Sequence, residues 1–211
     1  MSEQETELSS PQAELQLDPV IPRLSDGVVG LRGIELADAE KIAEICQQAA
    51  AQRWLPALPS PYSLEDAQYF VQEVAAPGWQ KGERHSFAVV REDENVFLGS
   101  IDLHLFRGST AEIGINIGDQ SQGSGVALRA VQLIVDYAFN GLDLRHLYWR
   151  AEVPNWASHK LAWKAGFRFE AELRAFADNR GESIDQWLLS LASDEPREPQ
   201  AAWAGPEKPV G

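Results

Sequence analysis

The chain has 211 residues, 44% of them hydrophobic, with one cysteine and a formal net charge of −14. That length suits one well-buried domain with flanking tails, a lone cysteine excludes an internal disulfide or a cysteine-rich zinc cluster, and the acidic balance speaks against nucleic acid, whose phosphates need a basic surface. No apolar run nears the roughly 20 residues of a membrane helix, and the opening Met1-Ser2-Glu3-Gln4-Glu5-Thr6-Glu7 is neither a secretory signal nor a basic transit peptide, so a cytoplasmic protein with no membrane partner is expected.

Residues 1–20 carry five acids and no Lys or Arg, and residues 193–211 carry four acids against Arg197 and Lys208. Both stretches lack periodic hydrophobicity and read as tails. Residues 21–192 are left as one domain. The remaining acidity either serves solubility or welcomes a cationic substrate. Val28 to Arg32 reads as a first strand. Asp38 can cap a helix over 39–50, where Ile42, Ile45, Cys46 and Ala49 share a face, which makes Cys46 a core residue. Pro56, Pro59 and Pro61 interrupt the chain, and Ser63-Leu64-Glu65-Asp66 starts a second helix to about 75.

Three strands follow, over 86–90, 96–106 and 111–117, separated by polar turns. In the last, Ile113, Ile115 and Ile117 alternate with Gly114 and Asn116, as in a half-buried strand. The period then changes: Ala127, Ala130, Val131, Ile134 and Ala138 align at helical spacing, and Asn140-Gly141 ends that helix. A buried strand spans 146–153, a short helix 156–165, and a hairpin 167–174 and 183–191 turns at Asp178-Asn179-Arg180-Gly181. The order predicts an α/β (α+β) domain, a mixed sheet of about seven strands with about four helices packed on it.

The chemistry is concentrated where strand meets helix, at Gln122-Gly123-Ser124-Gly125-Val126-Ala127. The first turn of a helix leaves backbone N–H groups unpaired at the positive end of its dipole, which suits phosphate. Glycines remove the Cβ atoms that would block close approach, and Gln122 and Ser124 can add donors. The glycines could instead serve only a tight turn. A P-loop needs Lys followed by Ser or Thr where Val126-Ala127 stand, and a dinucleotide fingerprint needs an acid after the next strand, whereas Asp143 precedes it. The four histidines show no metal-ligand spacing, and no metal is expected.

Gln122-x-x-Gly125-x-Ala127 resembles the coenzyme A signature of the GNAT N-acetyltransferase superfamily. Ala111-Glu112-Ile113-Gly114, Ala130 to Phe139, Asn155-Trp156-Ala157-Ser158 and Lys164-Ala165-Gly166-Phe167 are similar to its RimJ/RimL-like branch in order and spacing, as are Trp54-Leu55-Pro56 and Tyr62 to Ala67. The resemblance spans roughly residues 28–191. It implies a GNAT fold, mostly antiparallel with one splayed parallel pair that ends near Ile117 and Val153 and takes acetyl-CoA into the splay. Backbone groups around Ile115 to Ile117 would hold the pantetheine, residues Gln122, Gly123, Ser124, Gly125, Val126 and Ala127 the pyrophosphate, and Asn155 and Ser158 would stand near the cofactor arm and thiol. The family usually carries Arg or Lys at one or both of the positions held here by Gln122 and Ser124, so this cradle has lost charge. Asn155 followed by Ser158 is also simply a helix cap.

The reaction implied is attack of a neutral amine on the acetyl thioester. Glu112 is the candidate base, with Glu152 in reserve, and Tyr148 and Ser158 are candidates to protonate the leaving thiolate. The acceptor is either a protein N-terminal α-amine or a small amine such as an antibiotic or a polyamine, with its pocket expected in residues 51–63 and 76–85. A non-catalytic acyl-CoA-binding module is the alternative that the uncharged cradle favours. Either a monomer or a homodimer is compatible with the sequence.

Overall fold

A computed structural model describes residues 20–207 of the chain. The expected N-terminal tail, but for Val20, and residues 208–211 lie outside the described residues. Eight strands form one sheet in the order β1-β2-β3-β4-β5-β6-β8-β7. They are β1 (Leu24–Ser25), β2 (Val29–Gly33), β3 (Arg84–Arg91), β4 (Val96–Phe106), β5 (Thr110–Ile117), β6 (His146–Glu152), β7 (Arg168–Asn179) and β8 (Glu182–Ala192). Only β5 and β6 run parallel; every other neighbouring pair is antiparallel. The architecture is the expected mixed sheet, with the two-residue β1 added at its edge.

The alternation in β5 decides which face each residue serves. Ala111 and Ile113 are buried, and Ile115 and Ile117 pack with them against Ala130, Val131 and Ile134 of helix α5 (Val126–Asp136). The opposite face of the sheet carries α1 (Ala39–Cys46), α2 (Ala49–Trp54) and α3 (Leu64–Tyr69), where Ile42, Ile45, Cys46, Tyr62 and Val71 bury Val90 and Phe97. Burial raises the Cys46 thiol to about 11, so this cysteine is a packing residue, as its place in the apolar stripe suggests.

The helix boundaries differ from the periodic reading in two places. The helix expected over 39–50 breaks at Gln48, whose backbone is extended, and restarts as α2. Gln48 leaves the helix because its side chain is engaged elsewhere: its Oε1 accepts from the Asp119 N–H at 2.8 Å. Asp38 does not cap α1 with its side chain; it forms a two-bond pair with Arg32, both bonds at 2.8 Å. The helix expected to end near residue 75 instead continues through a wide turn, Phe70–Ala75, into α4 (Ala76–Lys81). Pro77 falls where the wide turn gives way to α4. Trp79 is then buried and stacked on His85 with ring centroids 3.9 Å apart.

At the other end of the molecule α6 (Trp156–Lys164) is overlaid by the polypeptide after β8. The Trp163 Nε1 donates to the Ala201 carbonyl and Lys160 Nζ to the Glu207 carbonyl, each at 2.9 Å. The Trp203 ring meets Trp156 edge-on at 6.0 Å and lies under the Lys160 ammonium. Residues 193–207 therefore follow α6, although the sequence there reads as a tail. A segment rich in Glu, Pro and Gln has no periodic stripe, and Trp203 is its one aromatic anchor, against Trp156, His159 and Trp163.

Candidate active site

Strand β5 pairs with β4 along its whole length, from Phe106 opposite Thr110 to Gly99 opposite Ile117. Towards β6 it pairs only at Thr110, Ala111 and Glu112, opposite His146, Leu147 and Tyr148. Beyond that point the strands part. The opening is a cavity of about 730 Å³ lined by Glu112 to Ile117 on one side and Trp149 to Glu152 on the other. The pair expected to splay is the pair that does.

The strand-to-helix loop closes one end. Gln122, Gly123, Gly125 and Ala127 line the cavity. Gly123 and Gly125 have φ of +73° and +84°, and a Cβ on either would meet nothing within 4 Å. Their glycine character therefore answers a left-handed backbone and leaves open space beside the first turn of α5. Gln122 Nε2 donates to Asp119 Oδ1 at 2.7 Å. Ser124 is turned away: its hydroxyl donates to the Ser121 carbonyl at 2.5 Å, and neither Ser124 nor Val126 is among the lining residues. Arg129 of α5 is bonded to Asp26 at 2.7 Å.

Asn155 and Ser158 both line the cavity. The Asn155 Oδ1 accepts from the Ser158 N–H at 3.1 Å, so Asn155 caps α6. The Ser158 Oγ accepts from the Trp149 indole N–H at 2.9 Å. That bond occupies an oxygen lone pair and leaves the hydroxyl proton free to be donated. Trp149 is 2% exposed, so the serine is held by a side chain that cannot move. No sequence spacing announces this contact, because strand β6 and helix α6 meet only in the folded sheet.

The expected acid and base candidates are treated unequally. Glu112 lines the cavity, but its Oε2 accepts from Arg150 Nε at 2.8 Å. Tyr148 is not among the lining residues. Glu152 is 8% exposed and accepts from Asn179 Nδ2 at 2.8 Å. The far wall comes from Trp54, Leu55 and Pro56 after α2, and from Ile184 and Gln186 of β8. Of the two loops expected to build an acceptor pocket, the first contributes and residues 76–85 do not. Residues 76–81 are α4, whose Trp79 belongs to the core, and Arg84 and His85 already begin β3.

The hairpin tip was legible only as a turn, yet it closes this wall. Asn179 also reaches the Arg53 carbonyl at 3.5 Å, and Arg180 Nη2 donates to Gln52 Oε1 at 3.2 Å. Strands β7 and β8 thus bend over to α2. The register of their pairing shifts between Leu173 and Ala177, and Ala175 has φ +49°. The strained residue is held by its N–H bond to Asp185 Oδ1 at 2.8 Å.

Comparison with known proteins agrees with this geometry. Residues 29–168 match the family described as "Acetyltransferase (GNAT) domain". The "Uncharacterized N-acetyltransferase p20" of Bacillus licheniformis is 26% identical over 167 residues, 78% of this chain and 93% of that protein. The spermidine N(1)-acetyltransferase of Escherichia coli K12 is 29% identical over 149 residues, 69% and 75% of the two chains. Among solved structures, Mycobacterium smegmatis RimJ in complex with CoA-disulfide superimposes with a TM-score of 0.73 at 20% identity, covering 84% of this chain and 88% of that one.

Proposed function

The chain belongs to the GNAT acetyltransferase family and is an acyl-CoA-dependent N-acyltransferase; on that premise we propose that it acetylates a primary α-amine, such as a protein N-terminus, from acetyl-CoA. The observation that carries the reading is the parting of β5 from β6 beside a glycine-rich helix start, with Asn155, Ser158 and Gln186 in the cavity wall. The backbone of Ile115 to Ile117 has no partner on the β6 side, and unpaired strand N–H groups there would bond the pantetheine and the thioester oxygen. Gly123, Gly125 and the first turn of α5 would receive the pyrophosphate, with Gln122 as a neutral donor. The open space over both glycines fits a bulky group lying against the backbone. Acetyl-CoA supplies the activated acyl group.

Ser158 is the proposed donor to the leaving sulfur. Its oxygen is fixed by Trp149, its proton is free, and it stands in the first turn of α6, whose dipole stabilises a thiolate. Tyr148, outside the cavity wall, is the weaker candidate. The amine must attack as the neutral species. At pH 7 a lysine ε-amine near pKa ~10.4 needs roughly 4.6 kcal/mol to deprotonate, whereas an α-amine near ~7.8 needs about 1 kcal/mol. With Glu112 engaged by Arg150, a site without a strong base suits the α-amine.

Thiol release from acetyl-CoA should be followed over a panel of N-terminal peptides, acetylated-α lysine, spermidine and an aminoglycoside. Fastest release with the free α-amine supports the proposal, and release with lysine or spermidine alone contradicts it.

A further inference from the structure

We propose that Glu152 and Gln186 form the subsite for the acceptor's ammonium group, and that Arg53 and Arg180 at its rim select a monoamine over a polyamine. The inference rests on the amine-acetylating reading above and names the substrate class at that site.

Glu112 and Glu152 are the acidic residues in the cavity wall. The charge of Glu112 is offset by Arg150 at 2.8 Å. Glu152 has no cationic partner among the described residues; its one side-chain hydrogen bond comes from the Asn179 amide. An ionised carboxylate accepts at two oxygens and about four lone-pair sites, so most of its capacity is unfilled while the residue is 8% exposed. Burying such a charge without a counter-charge is costly, and an ammonium is the group that removes the cost.

Gln186 supplies a second acceptor. It is the register partner of Glu152 between β6 and β8, so the two side chains leave the same face of the sheet with Cβ atoms roughly 5 Å apart. Gln186 lines the cavity, and its Oε1 is buried with no donor. A neutral carbonyl and a carboxylate side by side match an ammonium with three N–H donors. Trp54, Leu55 and Ile184 of the same wall would pack the carbon next to it.

The rim carries the opposite charge. The Arg53 guanidinium lies 4.8 Å from the centroid of the Trp54 ring, and Arg180 is bonded to the neutral Gln52. Neither has a carboxylate partner among the described residues. Asn179 ties this rim to Glu152 directly. A second ammonium on a polyamine chain would meet these two cations, whereas a neutral or acidic residue after an N-terminal amine would not.

In the reaction the ammonium held between Glu152 and Gln186 loses one proton to water, which leaves a neutral amine. The nitrogen bonds to the thioester carbon as the carbon–sulfur bond breaks. Sulfur takes the Ser158 hydroxyl proton, and the new amide nitrogen returns a proton to Ser158.

The test compares the parent with Glu152→Gln, Gln186→Leu and the double variant Arg53→Glu, Arg180→Glu, on an N-terminal peptide and on spermidine. Glu152→Gln should raise the KM for the peptide roughly ten- to a hundredfold, the range expected for a lost charged hydrogen bond. Its acetyl-CoA Kd should stay within about twofold, since the carboxylate is bonded to the hairpin tip at Asn179 and not to the loop at residues 122–127. Gln186→Leu should act in the same direction by less, and the rim variant should raise spermidine turnover relative to peptide. A parent that prefers the peptide, with a KM unmoved in Glu152→Gln that still binds acetyl-CoA, overturns this inference alone. A parent that prefers spermidine overturns it together with the α-amine reading.

Discussion

The two edges of strand β5 are made of the same residues and behave differently. Against β4 the strand is paired through eight positions, and against β6 through three. The closed edge continues into a half-molecule where Leu31, Phe87, Val89 and Ile101 are fully buried and even a histidine is held dry. The open edge keeps backbone donors without partners, next to glycines with empty space over them. An unmade protein–protein hydrogen bond inside a fold is expensive, so a seam that stops after three pairs marks where something else must bond. Stability is concentrated on one side of the strand and binding on the other.

The largest effect that would sharpen this contrast lies on the closed side. His85 is stacked on Trp79, and its Nδ1 is 3.0 Å from the Tyr137 hydroxyl. Burial lowers it from the ordinary 6.5 to about 4. The folded form therefore holds fewer protons than the unfolded chain between those values, so its contribution to stability is full above pH 6.5 and is lost as the pH falls towards 4. The loss should reach about 3 kcal/mol. Urea unfolding of the parent and of His85→Gln at pH 7 and pH 4.5 isolates it: the pH dependence should be smaller in the variant by about 2.4 kcal/mol, the part of the loss that falls between those pH values, and equal dependence would show that His85 takes up protons without unfolding.

On the open side, Gly125→Val should weaken acetyl-CoA binding by roughly a hundredfold, as expected when about two charge-assisted backbone bonds to phosphate are lost. The backbone at φ +84° disfavours a branched residue by on the order of 1–3 kcal/mol, so the unliganded variant should also melt lower. Calorimetry would check the first effect and thermal unfolding without ligand the second. Unchanged affinity would mean the glycine serves the turn alone.

The smallest effect separates the two uncharged cradle positions. Gln122 lines the cavity and Ser124 is bonded back to Ser121. Gln122→Arg should tighten coenzyme A by roughly tenfold and steepen its salt dependence, while Ser124→Arg should change the Kd by less than about twofold because its stem starts outside the wall. The reverse order would place the phosphates on the other flank of the loop.

Much of this organisation is visible in the residue order. The alternation Ile113, Ile115, Ile117 identifies β5 and its buried face, the 3.6-residue stripe from Ala127 to Ala138 identifies α5, and the glycine pair between them marks the binding loop. What stays hidden is made by contacts distant in sequence. Trp149 holding Ser158, Arg150 engaging Glu112, and the Asn179 tip reaching Glu152 and α2 all depend on which strands become neighbours. The helix from Ser63 reads as ending near residue 75, since the wide turn that carries it on leaves no compositional mark. The stretch after β8 reads as a tail because one tryptophan and two backbone carbonyls are enough to lay it along α6.

The central claim, that the unpaired edge of β5 is the binding edge, is tested most directly by amide hydrogen exchange with and without acetyl-CoA. The alternate amides of Ile113 to Ile117 that face away from β4 should exchange readily in the free protein and become protected on binding, together with the first turn of α5. The amides of β3 between Phe87 and Val90 should be slow in both states and unchanged. Protection by acetyl-CoA that leaves residues 113–117 untouched, or that appears on the β3 side instead, would contradict the account.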